Sequence, residues 1–272
     1  MPASSTTVPT PTPTPTTTTT STSTSAGSPA VAVLRCEARL FLREGGSQFW
    51  ILVFPTVLMT ILGLVPSFRH ADDGLGGRRV IDLYVPVAVL LAMIMAGLQA
   101  MPPVLTGYRE RGILRRMSTT PVRPAALLTA QIVLHGAAAL CSAALVTAVG
   151  RLAFGVRLPG QPFGYALALL LATGSVLALG ATLCALSRTT KGATAVGTVA
   201  YLVTMFTAGV WAPVQTMPDP LRQIVQLTPF GAASQALSRA ASGDWPGWAC
   251  LGVMALWTAL LTVLAARTFR WE

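Results

Sequence analysis

The chain is predicted to be an all-α polytopic membrane protein, and three features of its sequence carry that expectation. Of its 272 residues, 53% are apolar and only 10% are charged, against roughly a quarter charged in an ordinary soluble domain. The apolar residues gather in runs of about 20, the length a helix needs to cross a hydrocarbon core. Those runs hold no Asp, Glu, Lys or Arg; the charges fall between them. Too little chain remains for a soluble domain of about 100–150 residues beside the spans.

Residues 1–30 form a Thr/Pro/Ser tract with no apolar core. Such a segment buries too little surface to offset its ordering entropy, so a disordered cytoplasmic tail is expected. It lacks the apolar centre of a signal peptide. From Val31 to Glu44 the pattern changes. Val31, Leu34, Ala38, Phe41 and Leu42 recur at helical spacing, with Arg35, Arg39 and Arg43 at four-residue steps on another face. This is either an amphipathic helix lying in the membrane interface or an extension of the first span.

Six spans are expected, at about 49–66, 83–105, 125–150, 163–187, 192–213 and 247–266. With the N-terminus inside, the segments facing the cytoplasm carry twelve of the 19 cationic residues, and Asp72, Asp73, Asp82, Asp219 and Asp244 fall outside. The positive-inside rule then places both termini in the cytoplasm of a multi-pass plasma-membrane protein. Two connections are long. Residues 106–124 are densely basic. In 214–246 a stripe of Leu221, Ile224, Val225 and Leu227 precedes a second helical run, Phe230–Ala241, so two short outer helices are expected there.

The same residues exclude several chemistries. The net charge of +10 sits in short inter-span segments, which fits topology control and anionic lipid rather than nucleic acid. Cys36, Cys141, Cys184 and Cys250 form no C-x-x-C pair and read as small apolar residues, with no metal site or disulfide. An intramembrane protease requires a serine and a histidine facing each other. Here His135 is the one histidine in a span, and neither Ser142 nor Ser175 lies in a G-x-S-G motif. Ion-coupled carriers use ionisable groups inside the membrane, and the spans offer only Gln99, Gln131, His135 and threonines. A P-loop needs G-x-x-x-x-G-K-[ST], whereas the single lysine, Lys191, lies between Thr190 and Gly192. If ATP drives this protein, a separate chain must bind it.

That directs attention to the basic connection, Tyr108-Arg-Glu-Arg-Gly-Ile-Leu-Arg-Arg-Met117. A short helix is expected there, ended by Pro121 and Pro124, serving as a lipid-bound topology anchor or as a docking element for a cytoplasmic partner. Its sequence, running on through S-T-T-P-V-R-P into a span opening A-L-L-T-A-Q, resembles the segment after the second span of ABC-2-type transporter permeases. So do M-P-D-P-L-R-Q-I-V-Q-L-T-P-F-G-A-A-S-Q-A-L and the terminal R-T-F-R-W-E. The resemblance covers about Val31–Glu272 as one transmembrane domain and is nearest to daunorubicin-resistance-type permeases of actinobacteria.

The resemblance implies a permease paired with a second permease copy and with cytoplasmic ATPase subunits, exporting a small amphipathic drug or antibiotic. Tyr108, Arg109, Glu110, Arg111, Gly112, Leu114 and Arg115 would form the ATPase-coupling helix. Val31–Glu44 would lie beside it in the interface, and the 221–241 region would close the exit. Met95, Gln99, Thr204, Phe206 and Trp211 would line the substrate path between the second and fifth spans. Other readings are export of a lipid-linked or polysaccharide substrate and a non-transporting scaffold.

Overall fold

The apolar runs fold into helices whose ends are set by glycine, proline and capping side chains. A computed structural model describes residues 29–72, 77–117, 125–212, 214 and 217–268; the Thr/Pro/Ser tract up to residue 28, Pro121 and Pro124 lie outside them. The elements are α1 (Pro29–Arg43), α2 (Gly45–Leu64), a two-stranded clip of β1 (Ala71–Asp72) and β2 (Arg78–Arg79), and α3 (Val80–Glu110). Then come α4 (Ile113–Met117), α5 (Ala125–Phe154), α6 (Pro162–Leu186), α7 (Thr190–Thr207), α8 (Asp219–Gln226), α9 (Pro229–Ser242) and α10 (Trp248–Thr268).

Among the described residues five helices are long and apolar enough to cross a membrane: α2, α3, α5, α6 and α10. The expected fifth of six spans is α7, and it is shorter and more polar than anticipated. It stops at Thr207, and Lys191, Thr190, Thr194 and Thr198 occupy its first half. Gly209, at φ +83°, ends it: Gly209 N–H donates to Phe206 O and Val210 N–H to Met205 O, a left-handed C-cap that Cβ-bearing residues adopt poorly. Trp211, expected inside this span, therefore lies beyond it.

α3 is the hub. Its membrane-length window is 83% buried, with α6 next at 67%, against 22% for α2, 33% for α5 and 28% for α10, so the more exposed helices wrap around this centre. Their outer faces carry exposed Leu64, Leu152, Phe163, Val199 and Leu264, which costs nothing where lipid replaces water. Midway, at Met95–Ala100, α3 widens into a π-type turn. Pro102 and Pro103 follow directly and supply no N–H to the preceding turn, which accounts for the widening.

Two neighbours close on α3 at this turn. A Cβ on Gly180 of α6 would lie 2.1 Å from Gly97 O, and one on Gly197 of α7 would lie 2.9 Å from Leu98 O. Hydroxyls bind the remaining helices: Ser142 Oγ donates to Ile51 O at 2.6 Å, Ser175 Oγ lies 2.7 Å from Thr258 Oγ1, and Thr182 Oγ1 donates to Leu261 O at 3.0 Å. Both serines considered as nucleophiles are thus engaged in packing. The cysteines divide: Cys184 and Cys250 are buried, whereas Cys36 and Cys141 are exposed, and all four are free.

Both short helices expected between α7 and α10 are present. Thr228 Oγ1 accepts from Gly231 N–H at 3.1 Å to start α9, whose flank is buried against α6, α10 and α3.

The close approach gives a direct expectation. Gly180→Ala drives a methyl into the α3 backbone and should destabilise the bundle by roughly 1–3 kcal/mol, the usual range for overpacking. Gly252→Ala, where a Cβ meets nothing within 4 Å, should leave the detergent melting temperature unchanged. Equal melting of the two variants would refute the contact.

Candidate functional site

The residues singled out between Tyr108 and Arg115 do not form one helix. Tyr108, Arg109 and Glu110 are the last turn of α3. Gly112 then takes φ +66°, its N–H donating to Arg109 O, and the chain restarts as the short α4. A single coupling helix over Tyr108–Met117 is therefore replaced by a helix end, a glycine break and one further turn. The glycine makes the break, because the left-handed region is costly for other residues.

Each of the three terminal α3 side chains reaches a different element. Arg109 Nη1 donates to Cys184 O at 3.0 Å and to Ser187 O at 2.7 Å, the last carbonyls of α6 and its C-cap. Glu110 accepts at the start of α7, from Thr190 N–H at 2.8 Å and Thr190 Oγ1 at 2.6 Å. A cation thus sits on a helix C-terminus and an anion on the next helix N-terminus, both in the favourable sense of the helix dipole. Each charge also supplies hydrogen bonds that a helix end cannot make for itself. Thr189 completes the N-cap by accepting from Gly192 N–H at 3.1 Å.

Tyr108 reaches in the other direction. Its hydroxyl donates to Glu37 Oε2 at 2.9 Å, and Gln131 Nε2 donates to the same oxygen at 2.6 Å. Glu37 is 7% exposed, so a carboxylate on α1 is enclosed between α3 and α5. One turn along each helix, Phe41 meets His135 edge-to-face at 5.0 Å, while His135 Nδ1 lies 2.9 Å from Gln131 O. Glu37 was not among the residues expected to matter. The signal was present: it lies three residues from Leu34 and four from Phe41, an acid set into an apolar stripe.

The remaining members of the motif stay local. Arg111 Nε donates to Gly107 O at 3.1 Å, and its guanidinium lies 5.8 Å from the Tyr108 ring centroid. Leu114 is buried and Ile113 half-buried on α4, with Arg116 exposed. Arg115 belongs to α4, and its side chain lies outside the described residues.

The five substrate-path residues separate. Met95 is buried with Leu91 and Met205 at the α3–α7 contact, and Thr204 is buried with its hydroxyl donating to Tyr201 O at 2.9 Å. Gln99 lines a cavity of about 260 Å³ with Glu44, Ser47 and Trp50. Phe206 and Trp211 are exposed. Among the described residues, no group of three His, Cys, Asp or Glu is placed to hold a metal ion.

The Glu37 arrangement can be tested by substitution. Glu37→Leu strands the Tyr108 and Gln131 donors and should cost about 1–3 kcal/mol, the usual penalty for an unsatisfied buried group. Glu37→Gln keeps an acceptor oxygen and should recover much of that loss in a detergent melt. Equal stability of wild type and both variants would remove Glu37 from the junction.

A family model for the ABC-2 type transporter matches residues 30–240, which takes in α1, the whole junction and most of α9. No curated relative matches the chain. The matched stretch is most of the sequence, and its transmembrane helices are those just described. The chain belongs to the ABC-2 type transporter family, as a membrane permease.

Proposed function

We propose that the protein is the permease of an ATP-driven exporter of the daunorubicin-resistance type. It moves a small amphipathic drug or antibiotic out of the cell across the plasma membrane. ATP and Mg are bound by a cytoplasmic ATPase subunit, and a second permease copy completes the conduit. On this reading α7 is the fifth of six crossings, both termini are cytoplasmic, α1 lies in the interface, and α8 and α9 sit on the outer side. The loop charges support that orientation. Export of a lipid-linked or polysaccharide substrate, and a non-transporting scaffold, are the alternatives.

One observation carries the reading. Tyr108, Arg109 and Glu110 are spent on the protein's own elements, gripping α1, the end of α6 and the start of α7. Docking then falls to the turn beyond Gly112, namely α4 with Leu114, Arg115 and Arg116, while residues 108–110 convert displacement of that turn into movement of three packed elements. Packed helices shift as rigid bodies, so a charged clasp at their ends is a suitable lever.

The division of labour predicts a division of phenotypes. Arg109→Gln and Glu110→Gln should lower ATP-dependent efflux from vesicles by about tenfold or more, since each removes charge-assisted bonds worth roughly 1.5–3 kcal/mol, while the ATPase subunit still co-purifies. Arg116→Glu should weaken co-purification itself. Loss of ATPase binding in the Arg109 and Glu110 variants would place docking on the helix end instead. Absence of ATP-dependent efflux for every compound tested with the wild-type pair would favour the scaffold.

A further inference from the structure

The larger of the two cavities described in the chain lies at the end of the bundle opposite the α3–α4 turn. It measures about 550 Å³, within the range of small-molecule sites. Four helices and two connections build it: the start of α3, the end of α5, the start of α6 and the end of α9, with the β2 end of the clip and the α5–α6 connection at 155–159. None of Met95, Gln99, Thr204, Phe206 or Trp211 lines it, so it is separate from the path between the second and fifth spans.

Its walls have two characters. Leu83, Pro86 and Val156 supply an apolar side, and the hydroxyl-bearing Thr147, Tyr165 and Ser238 face it from α5, α6 and α9. Tyr165 and Ser238 are more than nine-tenths buried. One turn deeper on the same flank of α9, Ser234 Oγ is buried with no hydrogen-bond partner among the described residues, so polar capacity on that face is left unused.

The charges at the mouth are not equivalent. Arg79 binds Asp82 through two bonds, of 3.0 and 2.8 Å, and donates to Phe154 O and Gly155 O, each at 3.2 Å. Its hydrogen bond to Asp82 holds the guanidinium above its ordinary pKa, and the pair is neutral overall. It is a clasp that ends α5 against the start of α3. Arg157 is different: it is exposed at the rim and forms no ion pair among the described residues. The cavity therefore offers one uncompensated positive charge beside a hydroxyl-lined, half-apolar interior.

We propose that this intra-subunit cavity is a binding site for a monoanionic amphiphile, with the acid group at Arg157 and the apolar portion against Leu83, Pro86 and Val156. A free organic acid and the headgroup end of an acidic lipid share that chemistry, and competition separates them.

The test uses the purified full chain in nanodiscs of phosphatidylcholine, with cis-parinaric acid as fluorescent probe and its methyl ester as neutral control. Saturable binding of the acid is expected, with affinity for the ester lower by about tenfold, the worth of one charge-assisted bond. Arg157→Gln, an exposed change that leaves the packing intact, should weaken acid binding to the ester's level, and Ser238→Phe should abolish both. Nanodiscs containing phosphatidylglycerol should displace the probe if the natural occupant is an acidic lipid and leave it bound if it is a free acid. Equal affinity for acid and ester, or an unchanged Arg157→Gln variant, would overturn the proposal. The measurement requires no ATPase partner, so it stands or falls independently of export.

Discussion

Helix ends in a membrane protein pose a constraint that the rest of this structure answers to. A helix leaves its last carbonyls and first N–H groups unpaired, and a tight turn between two packed helices leaves them few partners of their own. Between α6 and α7 the chain turns with only Ser187, Arg188 and Thr189 between the helices. Two consecutive side chains of α3 resolve both ends at once: Arg109 takes the carbonyls of Cys184 and Ser187, and Glu110 takes the N–H and hydroxyl of Thr190. Without them α3 would lose its fixed position against two neighbours, and the part-buried carbonyls of Cys184 and Ser187 would lose their side-chain donor.

The clasp acts with the packing above it. Gly97, Gly180 and Gly197 bring α6 and α7 onto the π-type turn of α3, so the three helices are held at mid-height by backbone contact and at one end by charge. Tyr108 and Glu37 extend that grip to α1 and, through Gln131, to α5. A displacement applied beyond Gly112 meets an assembly already joined at several points. Rigid helices with small residues at their crossings suit such transmission better than a pliable core.

Chemistry in the bundle is correspondingly sparse. In the membrane-length helices, charged residues occur only near the ends, and the hydroxyls of Ser142, Ser175 and Thr182 are engaged in helix-to-helix hydrogen bonds. That leaves few ionisable groups inside the bundle to drive a coupled ion. The two ends of α3 differ in kind. One carries the clasp at Arg109 and Glu110, and the other carries a neutral Arg79–Asp82 pair beside a cavity with a single open charge at Arg157.

Much of this was determined by the sequence alone. Runs of apolar residues without charge specify membrane helices whatever their neighbours, because backbone hydrogen bonding and lipid exposure are local requirements. The helix of α1 and the paired helices α8 and α9 were legible from the helical spacing of their apolar residues. The length of α7 was not, since Gly209 ends it through a backbone conformation that hydropathy does not register. Nor were the partners of Tyr108, Arg109 and Glu110, which lie more than 70 residues away in the chain. An arginine beside a glutamate reads equally as a surface docking patch or as a pair of helix caps. Only the three-dimensional placement of α6 and α7 against the end of α3 decides between them, because the carbonyls and N–H groups they satisfy belong to the backbone and leave no mark on the sequence.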